Sequence, residues 1–291
     1  MTQPLLLRSV LYMPGSNDRA IAKARTLHAD AIVLDLEDSV APEMKDVARN
    51  AVVSAMREGG FGSRYQVVRT NALATPWGHD DLAALNDVPL DAVLVPKVDS
   101  GADVAAIVAA MRKAGIGADV ALWVMIETPL SILNLAEIAA AARGTPLAGF
   151  VLGLNDLAKD TGIAQLPGRA AFQPVLTQAV IAARAHGLVV LDGVCNAIED
   201  EARLADECAQ ARDNGFDGKT LIHPRQVEVA NRVFSPTQAE VADARAVIAA
   251  FADPANAAVG ALRIDGRMVE RLHLKEAERC VARAEAIDAP A

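Results

Sequence analysis

Ala92-Val-Leu-Val-Pro-Lys97 and Leu122-Trp-Val-Met-Ile-Glu127, with Val104, Ile107, Val108 and Met111 between them, decide the fold. Each flanking run is short, apolar and closed by a charged residue. Neither alternates polar with apolar, as a strand with one wet face would, so both read as strands buried on two sides. The four residues between them fall at i, i+3, i+4 and i+7, the stripe of a helix lying on a core. Strand, helix and strand within residues 92–127 form one βαβ unit, whose strands run parallel.

The same rhythm extends in both directions. Upstream lie Ser9-Val-Leu-Tyr-Met13, Ala31-Ile-Val-Leu-Asp-Leu-Glu37 and Tyr65-Gln-Val-Val-Arg69. Downstream lie Gly149-Phe-Val-Leu-Gly153, Leu188-Val-Val-Leu-Asp192 and Gly218-Lys-Thr-Leu-Ile-His223. Eight alternations predict an α/β fold, a closed (β/α)8 TIM barrel over residues 1–234, in preference to an open doubly wound sheet. Residues 235–291 read as a C-terminal helical extension, too short for a large core of its own. Ser235-Pro-Thr-Gln238 has the form of a helix start, with Ser235 as cap, Pro236 in the first turn and Gln238 at the capping-box position. That helix runs to about Phe251, and a final one from about Leu274 to Ala286.

Composition agrees and excludes several classes. Apolar residues make up 52% of the 291 and aromatics only 3%, so Val, Ile, Leu and Ala must fill the core. The 37 acidic and 28 basic residues give a net charge of −9 with no Lys/Arg run, which argues against nucleic acid as partner. No apolar stretch is long enough to span a bilayer, and residues 1–8 lack a signal peptide's hydrophobic segment. Cys195, Cys208 and Cys280 form no paired spacing, which points to a reducing cytoplasmic location and not to a disulfide framework or a zinc site.

In such barrels the chemistry sits at the C-terminal ends of strands. Here those ends carry Asp35, Glu37 and Asp38, then Arg69, Lys97, Glu127, Asn155 with Asp156, and Asp192. Proximity to solvent explains any one of them equally well; several carboxylates with an Arg and a Lys are harder to assign to solvation. Glu127 and Asp156 end adjacent predicted strands, so both carboxylates can meet one hard cation, and two carboxylates completed by water and substrate oxygens suit Mg²⁺. Arg69 suits a substrate carboxylate held by two parallel hydrogen bonds. Lys97 reads either as a Schiff-base nucleophile or, preferably, as an ion-pair partner of the acidic ring. His223 reads as a hydrogen-bonded residue of the last strand, Cys195 as a buried inert thiol, and Met125 and Trp123 as packing.

Seven motifs occur in order: Arg8-Ser-Val-Leu-Tyr-Met-Pro-Gly15, Asp35-Leu-Glu-Asp-Ser-Val40, Val68-Arg-Thr-Asn71, Val95-Pro-Lys-Val98, Ile126-Glu-Thr-Pro129, Gly153-Leu-Asn-Asp-Leu157 and Gly218-Lys-Thr-Leu-Ile-His-Pro224. Together they resemble the citrate lyase beta subunit-like (HpcH/HpaI aldolase) family, which includes malyl-CoA and citramalyl-CoA lyases. The resemblance covers nearly the whole chain and is specific for family, not for substrate.

The resemblance implies a Mg²⁺-dependent carbon–carbon lyase that cleaves a malyl-, citramalyl- or citryl-CoA type thioester to acetyl-CoA and a 2-oxo acid, or condenses them. It implies Glu127 and Asp156 as metal ligands and Arg69 as the holder of the oxo-acid carboxylate. Asp35, Glu37 and Asp38 become the acidic strand end that orders metal-bound water, and Asp38 is counted among the catalytic candidates. Arg19 and Lys23 are either contacts for CoA phosphates or a solvated helix face. Asp265-Gly-Arg-Met-Val-Glu270 resembles a segment that swings onto a neighbouring subunit in a homotrimer or hexamer, where the family usually places a proton-handling aspartate. Glu270 stands there instead, as a functional replacement, a change of substrate range or a loss of lyase activity. Three rival readings are a metal-dependent aldolase on free 2-oxo acids, a citrate lyase subunit acting on an acyl-carrier protein, and a non-catalytic acyl-CoA-binding barrel.

Overall fold

The computed structural model describes residues 4–256 and 259–289. The remaining residues of the two predicted segments, 1–3, 257, 258, 290 and 291, lie outside the described residues. The chain divides into two compact units, one of Leu7–Asn231 and the other of Arg232–Ala291 with the N-terminal residues up to Leu6.

The first unit is a closed barrel of eight parallel strands in sequence order: β1 Ser9–Pro14, β2 Ala31–Asp35, β3 Tyr65–Arg69, β4 Ala92–Val95, β5 Ala121–Ile126, β6 Leu147–Leu152, β7 Val189–Asp192 and β8 Gly218–Leu221. The last strand pairs with the first, Val10 opposite Thr220. Inside, Val10, Val33, Val67, Leu94, Met125 and Leu191 belong to one buried cluster. Trp123 fills the lower barrel, stacked on Tyr65 with ring centroids 5.3 Å apart. Outside, the predicted stripe Val104, Ile107, Val108 and Met111 is the buried face of the helix Gly101–Lys113.

Strand ends differ from expectation by a residue or two, for identifiable reasons. β4 stops at Val95 because Pro96 has no N–H for the ladder, and Lys97 then takes a left-handed φ of 57°. β8 ends at Leu221, so His223 lies in the turn beyond it and not on the strand, its Nδ1 accepting the Arg225 N–H.

The second unit holds the helices Gln238–Ala252 and Arg271–Asp288, joined through an antiparallel pair, β9 Ala261–Ile264 and β10 Arg267–Glu270. Ser235 is not the helix cap. Thr237 is, because Glu240 sits three residues on: the Thr237 Oγ1 accepts the Glu240 N–H (3.2 Å) and a Glu240 carboxylate oxygen accepts the Thr237 N–H (2.7 Å). A charged box partner at the positive end of a helix outdoes the neutral Gln238. The hairpin was not expected. Its two-residue turn, Asp265-Gly266, has φ of 48° and 80°, the left-handed pair that a tight hairpin turn demands.

Candidate active site

Asp35 and Arg69 stand opposite each other in register at the ends of β2 and β3. The Arg69 Nε and Nη2 donate to the two Asp35 oxygens at 2.6 and 2.7 Å. Asp35 also accepts the Glu37 N–H (2.9 Å) and the N–H and hydroxyl of Ser39. Burial raises the Asp35 pKa, but Arg69 and these hydrogen bonds more than reverse that, so it titrates below the usual carboxylate range. One double-bonding edge of the guanidinium is therefore spent on the protein. Nη1 remains, with Asp38 Oδ2 at 3.3 Å and Glu37 Oε2 at 2.7 Å, the latter out of line for a hydrogen bond. Burial, with Asp38, Glu127 and Asp35 nearby, outweighs Arg69 and pushes Glu37 up to about 8.

The loop after β2 is pinned from behind by a residue that the sequence reading missed. Buried Lys45 donates to the carbonyls of Leu36 and Glu37 (2.8 and 2.7 Å) and to Asn71 Oδ1 (2.7 Å). Its only signal is a lysine early in a helix, which sequence cannot tell from a solvated one.

Glu127 and Asp156 follow the neighbouring strands β5 and β6. Asp156 lies in the first turn of the helix Leu154–Thr161. Just past Glu127, the capping box of Thr128 and Ser131 fixes the chain (3.0 and 3.1 Å). Glu127 Oε1 accepts the backbone N–H of Lys97 at 2.9 Å, a bond that the left-handed turn at Lys97 makes possible. The Lys97 ammonium bonds Asp156 and lies 3.4 Å from Glu127 Oε1, so the two carboxylates share one cation. Burial pushes Glu127 up to about 7, against the pull of Lys97. For Asp156 burial works the same way, but the bond from Lys97 prevails and its pKa is lowered.

Asp35, Asp38, Arg69, Glu127 and Asp156 line one cavity of about 280 Å³. Its floor includes Tyr12, over whose ring Arg69 stacks at 4.8 Å, and Met125, whose Sδ is 3.6 Å from Arg69 Nη1. Met125 is core packing, as expected, that also touches Arg69. Among the described residues, no three His, Cys, Asp or Glu side chains group closely enough to hold a metal alone.

Residues 8–224 match the HpcH/HpaI aldolase/citrate lyase family. The chain belongs to that family. It is 48% identical over 282 residues to a (3S)-malyl-CoA thioesterase of Cereibacter sphaeroides, covering 97% of this chain and 96% of that one. It is 35% identical over 304 residues to the L-malyl-CoA/beta-methylmalyl-CoA lyase of Rhodobacter capsulatus, covering 96% and 95%. Among solved structures, CitE from Mycobacterium tuberculosis in complex with magnesium, acetoacetate and coenzyme A superposes with a TM-score of 0.77 at 31% identity, covering 95% of this chain and 97% of that one.

Within this family member, other expected residues fall elsewhere. Asp192 is not part of the ring at the barrel mouth. It points outward, fully buried, between Arg169 (2.8 and 2.9 Å) and Lys219 Nζ (2.7 Å). Arg19 and Lys23 lie exposed on the helix Asp18–Ala24 and do not line the cavity. Cys195 is buried. Glu270 belongs to the second unit, where it closes β10 and its N–H donates to His273 Nδ1 at 2.8 Å. Among the described residues no helix is long and apolar enough to cross a membrane.

Proposed function

We propose that this chain is a Mg²⁺-dependent lyase acting on a malyl-type β-hydroxyacyl-CoA, releasing acetyl-CoA and a 2-oxo acid, and running the reverse condensation. The observation that carries this reading is the pairing of Glu127 and Asp156 around one cation, in the same cavity as the buried Arg69. The two carboxylates fit a magnesium ion. Glu127 is buried with its charge incompletely offset by Lys97, and the donors are hard oxygens with open space beside them for water and substrate. When bound, the ion would polarise substrate oxygens as a Lewis acid.

The chain's own groups supply the rest. Arg69 offers its Nη1 edge to the substrate carboxylate, and Asp35 keeps the guanidinium charged and aimed. Asp38, with its side chain 68% exposed beside Nη1, accepts the proton of the substrate hydroxyl. As that proton leaves, the C–O bond gains double-bond character and the Cα–Cβ bond breaks towards the thioester. Glu270, delivered by a neighbouring subunit, returns a proton to the acetyl carbon. The half-exposed Leu272 and the 71%-exposed Met268 beside it suit a segment that packs on another copy, in a homotrimer or a hexamer.

Thioester hydrolysis is a second reading, favoured by the 48% full-length identity to proteins named (3S)-malyl-CoA thioesterase. It places the same substrate in the same cavity but breaks the C–S bond with water. One assay separates the two: (3S)-malyl-CoA with Mg²⁺, followed for glyoxylate and for free thiol. Glyoxylate with acetyl-CoA and no thiol supports the lyase; malate with equimolar thiol replaces it by the hydrolase. Equal turnover of the Glu127→Gln variant, or of enzyme in excess chelator, sinks the metal assignment.

A further inference from the structure

The phenol of Tyr12 has no place in the chemistry above, yet it stands in the middle of the site. Its ring lines the cavity and carries the Arg69 guanidinium at 4.8 Å. Its oxygen is buried and has no hydrogen-bond partner among the described residues. A buried hydroxyl without a partner has lost its water and gained nothing in return, and native proteins keep few such groups. Next to a cavity, the missing partner is most simply a ligand atom. Burial, with the charges of Asp35, Glu127 and Glu37, holds the phenolic proton in place far above neutral pH despite Arg69, so the group is a donor throughout the working range.

The neighbourhood also says which kind of atom it meets. The carboxylate oxygens nearby belong to Asp35, which is already saturated by Arg69, Ser39 and the Glu37 N–H, to Glu127, which accepts from Lys97, and to Glu37, whose Oε2 lies against Arg69 Nη1 at 2.7 Å; none of them accepts from the phenol. An incoming oxygen beside Arg69 is anionic or carbonyl in character, because the same guanidinium polarises it.

We propose that Tyr12 Oη donates a hydrogen bond to an oxygen of the oxo-acid half of the substrate, forming with Arg69 a two-donor seat for that fragment. This rests on the oxo-acid reading of the cavity given above. It makes Tyr12 a substrate-contacting residue that discriminates the small acid and leaves the acyl-CoA half to other groups.

The test is Tyr12→Phe, which keeps the ring under Arg69 and removes only the hydroxyl. Wild type and variant are compared for melting temperature without ligand, for affinity of glyoxylate and of pyruvate in the presence of Mg²⁺, and for affinity of acetyl-CoA. Losing a hydrogen bond to a charged acceptor should weaken oxo-acid binding roughly 10- to 100-fold. Acetyl-CoA affinity should stay within about 2-fold on the same grounds, and the melting temperature should hold or rise, because an unsatisfied buried group has gone. Unchanged oxo-acid affinity overturns the proposal. So does a lower melting temperature with both ligands weakened alike, the mark of a structural role. If wild type binds neither oxo acid, the functional reading itself fails and takes this inference with it.

Discussion

Replacing Arg69 with Met takes a guanidinium whose side chain is 8% exposed away from a carboxylate that is 1% exposed, while keeping most of the side-chain volume. Asp35 keeps its bonds from Ser39 and from the Glu37 N–H but loses both charge-assisted ones. Breaking a buried pair by removing one partner costs about 3–5 kcal/mol, set against about 5–15 kcal/mol for a whole domain. The loss should therefore be conspicuous in urea unfolding followed by circular dichroism.

Its pH dependence carries a sign that the structure fixes. In the parent, the depressed Asp35 pKa contributes stability above the unfolded value of about 3.9, lost as pH falls through the folded one. Without Arg69 burial dominates, and the folded pKa moves above the unfolded one. Asp35 then contributes at low pH and loses that contribution as pH rises through its new folded pKa. The cost of Arg69→Met should thus be greatest near pH ~8 and shrink towards pH ~5, by about 1.4 kcal/mol per unit over which only the folded variant holds the proton. Adding Asp35→Asn should recover part of the loss, since the stranded charge is what costs most. A cost below about 1 kcal/mol at pH ~8, or the same cost at both pH values, would refute the claim that this pair holds the strand ends together.

Three other outcomes follow from the same geometry. A Cβ at Gly153 would lie 2.4 Å from Glu127 Cβ and 2.6 Å from its Oε2, so Gly153→Ala should push Glu127 aside and weaken Mg²⁺ by at least about 10-fold; unchanged Mg²⁺ titration of the melting temperature would count against Glu127 as a ligand. Lys97→Met removes the ammonium now shared by Glu127 and Asp156, so the metal-free protein should melt lower and gain more from Mg²⁺ than wild type does; an unaltered Mg²⁺ response would show that Lys97 does not compete. If Glu270 acts across subunits in a ring, mixing inactive Glu270→Ala and Glu127→Gln chains and allowing exchange should restore up to about one quarter of wild-type activity, the statistical share of intact sites. No recovery after demonstrated exchange would place Glu270 in its own subunit's site or outside catalysis.

The barrel was legible because its strands are buried on both faces, so they appear as unbroken apolar runs closed by a charge, as Ala92–Val95 is by Lys97. The hairpin was not legible: β9 and β10 are four residues each and largely half-exposed or exposed, leaving Asp265-Gly266 as their only marker. At the site, residue type announced Arg69, Glu127 and Asp156, and strand parity decided which charges face inward. Val33 and Val67 lie in the barrel interior, so Asp35 and Arg69, two residues on, face the cavity. Leu191 is interior as well, so Asp192 must point out to the helices, where Lys219 and Arg169 meet it. Parity was available in the sequence and would have removed Asp192 from the ring. Tyr12 was passed over because an aromatic in a strand reads as packing, and only the structure shows that its hydroxyl lacks a partner.

Among the described residues, the carboxylates of Asp35, Glu37, Asp38, Glu127 and Asp156 form ion pairs at the barrel mouth with Arg69 and Lys97, while Lys45 and Lys159 act on some of them from further off. Asp35 and Arg69 cancel each other, while burial pushes Glu37 up to about 8 and Glu127 up to about 7, the mark of an excess of acid over base that Lys97 alone does not offset. An added dication relieves that excess. Yet no third protein ligand stands beside Glu127 and Asp156 among the described residues. If the two hold Mg²⁺ as proposed, the other coordination positions would fall to water and to the substrate's own oxygens, as is common for that ion. A metal held this way should bind weakly alone and more tightly once an oxo acid is present, and the coupling must be reciprocal. Calorimetric Kd values for Mg²⁺ with and without glyoxylate, and for glyoxylate with and without Mg²⁺, should change by the same factor, of about 5- to 150-fold for a typical coupling. Independent affinities would mean that metal and acid do not share the cavity, and the assignment of Glu127 and Asp156 to one catalytic centre with Arg69 would fall.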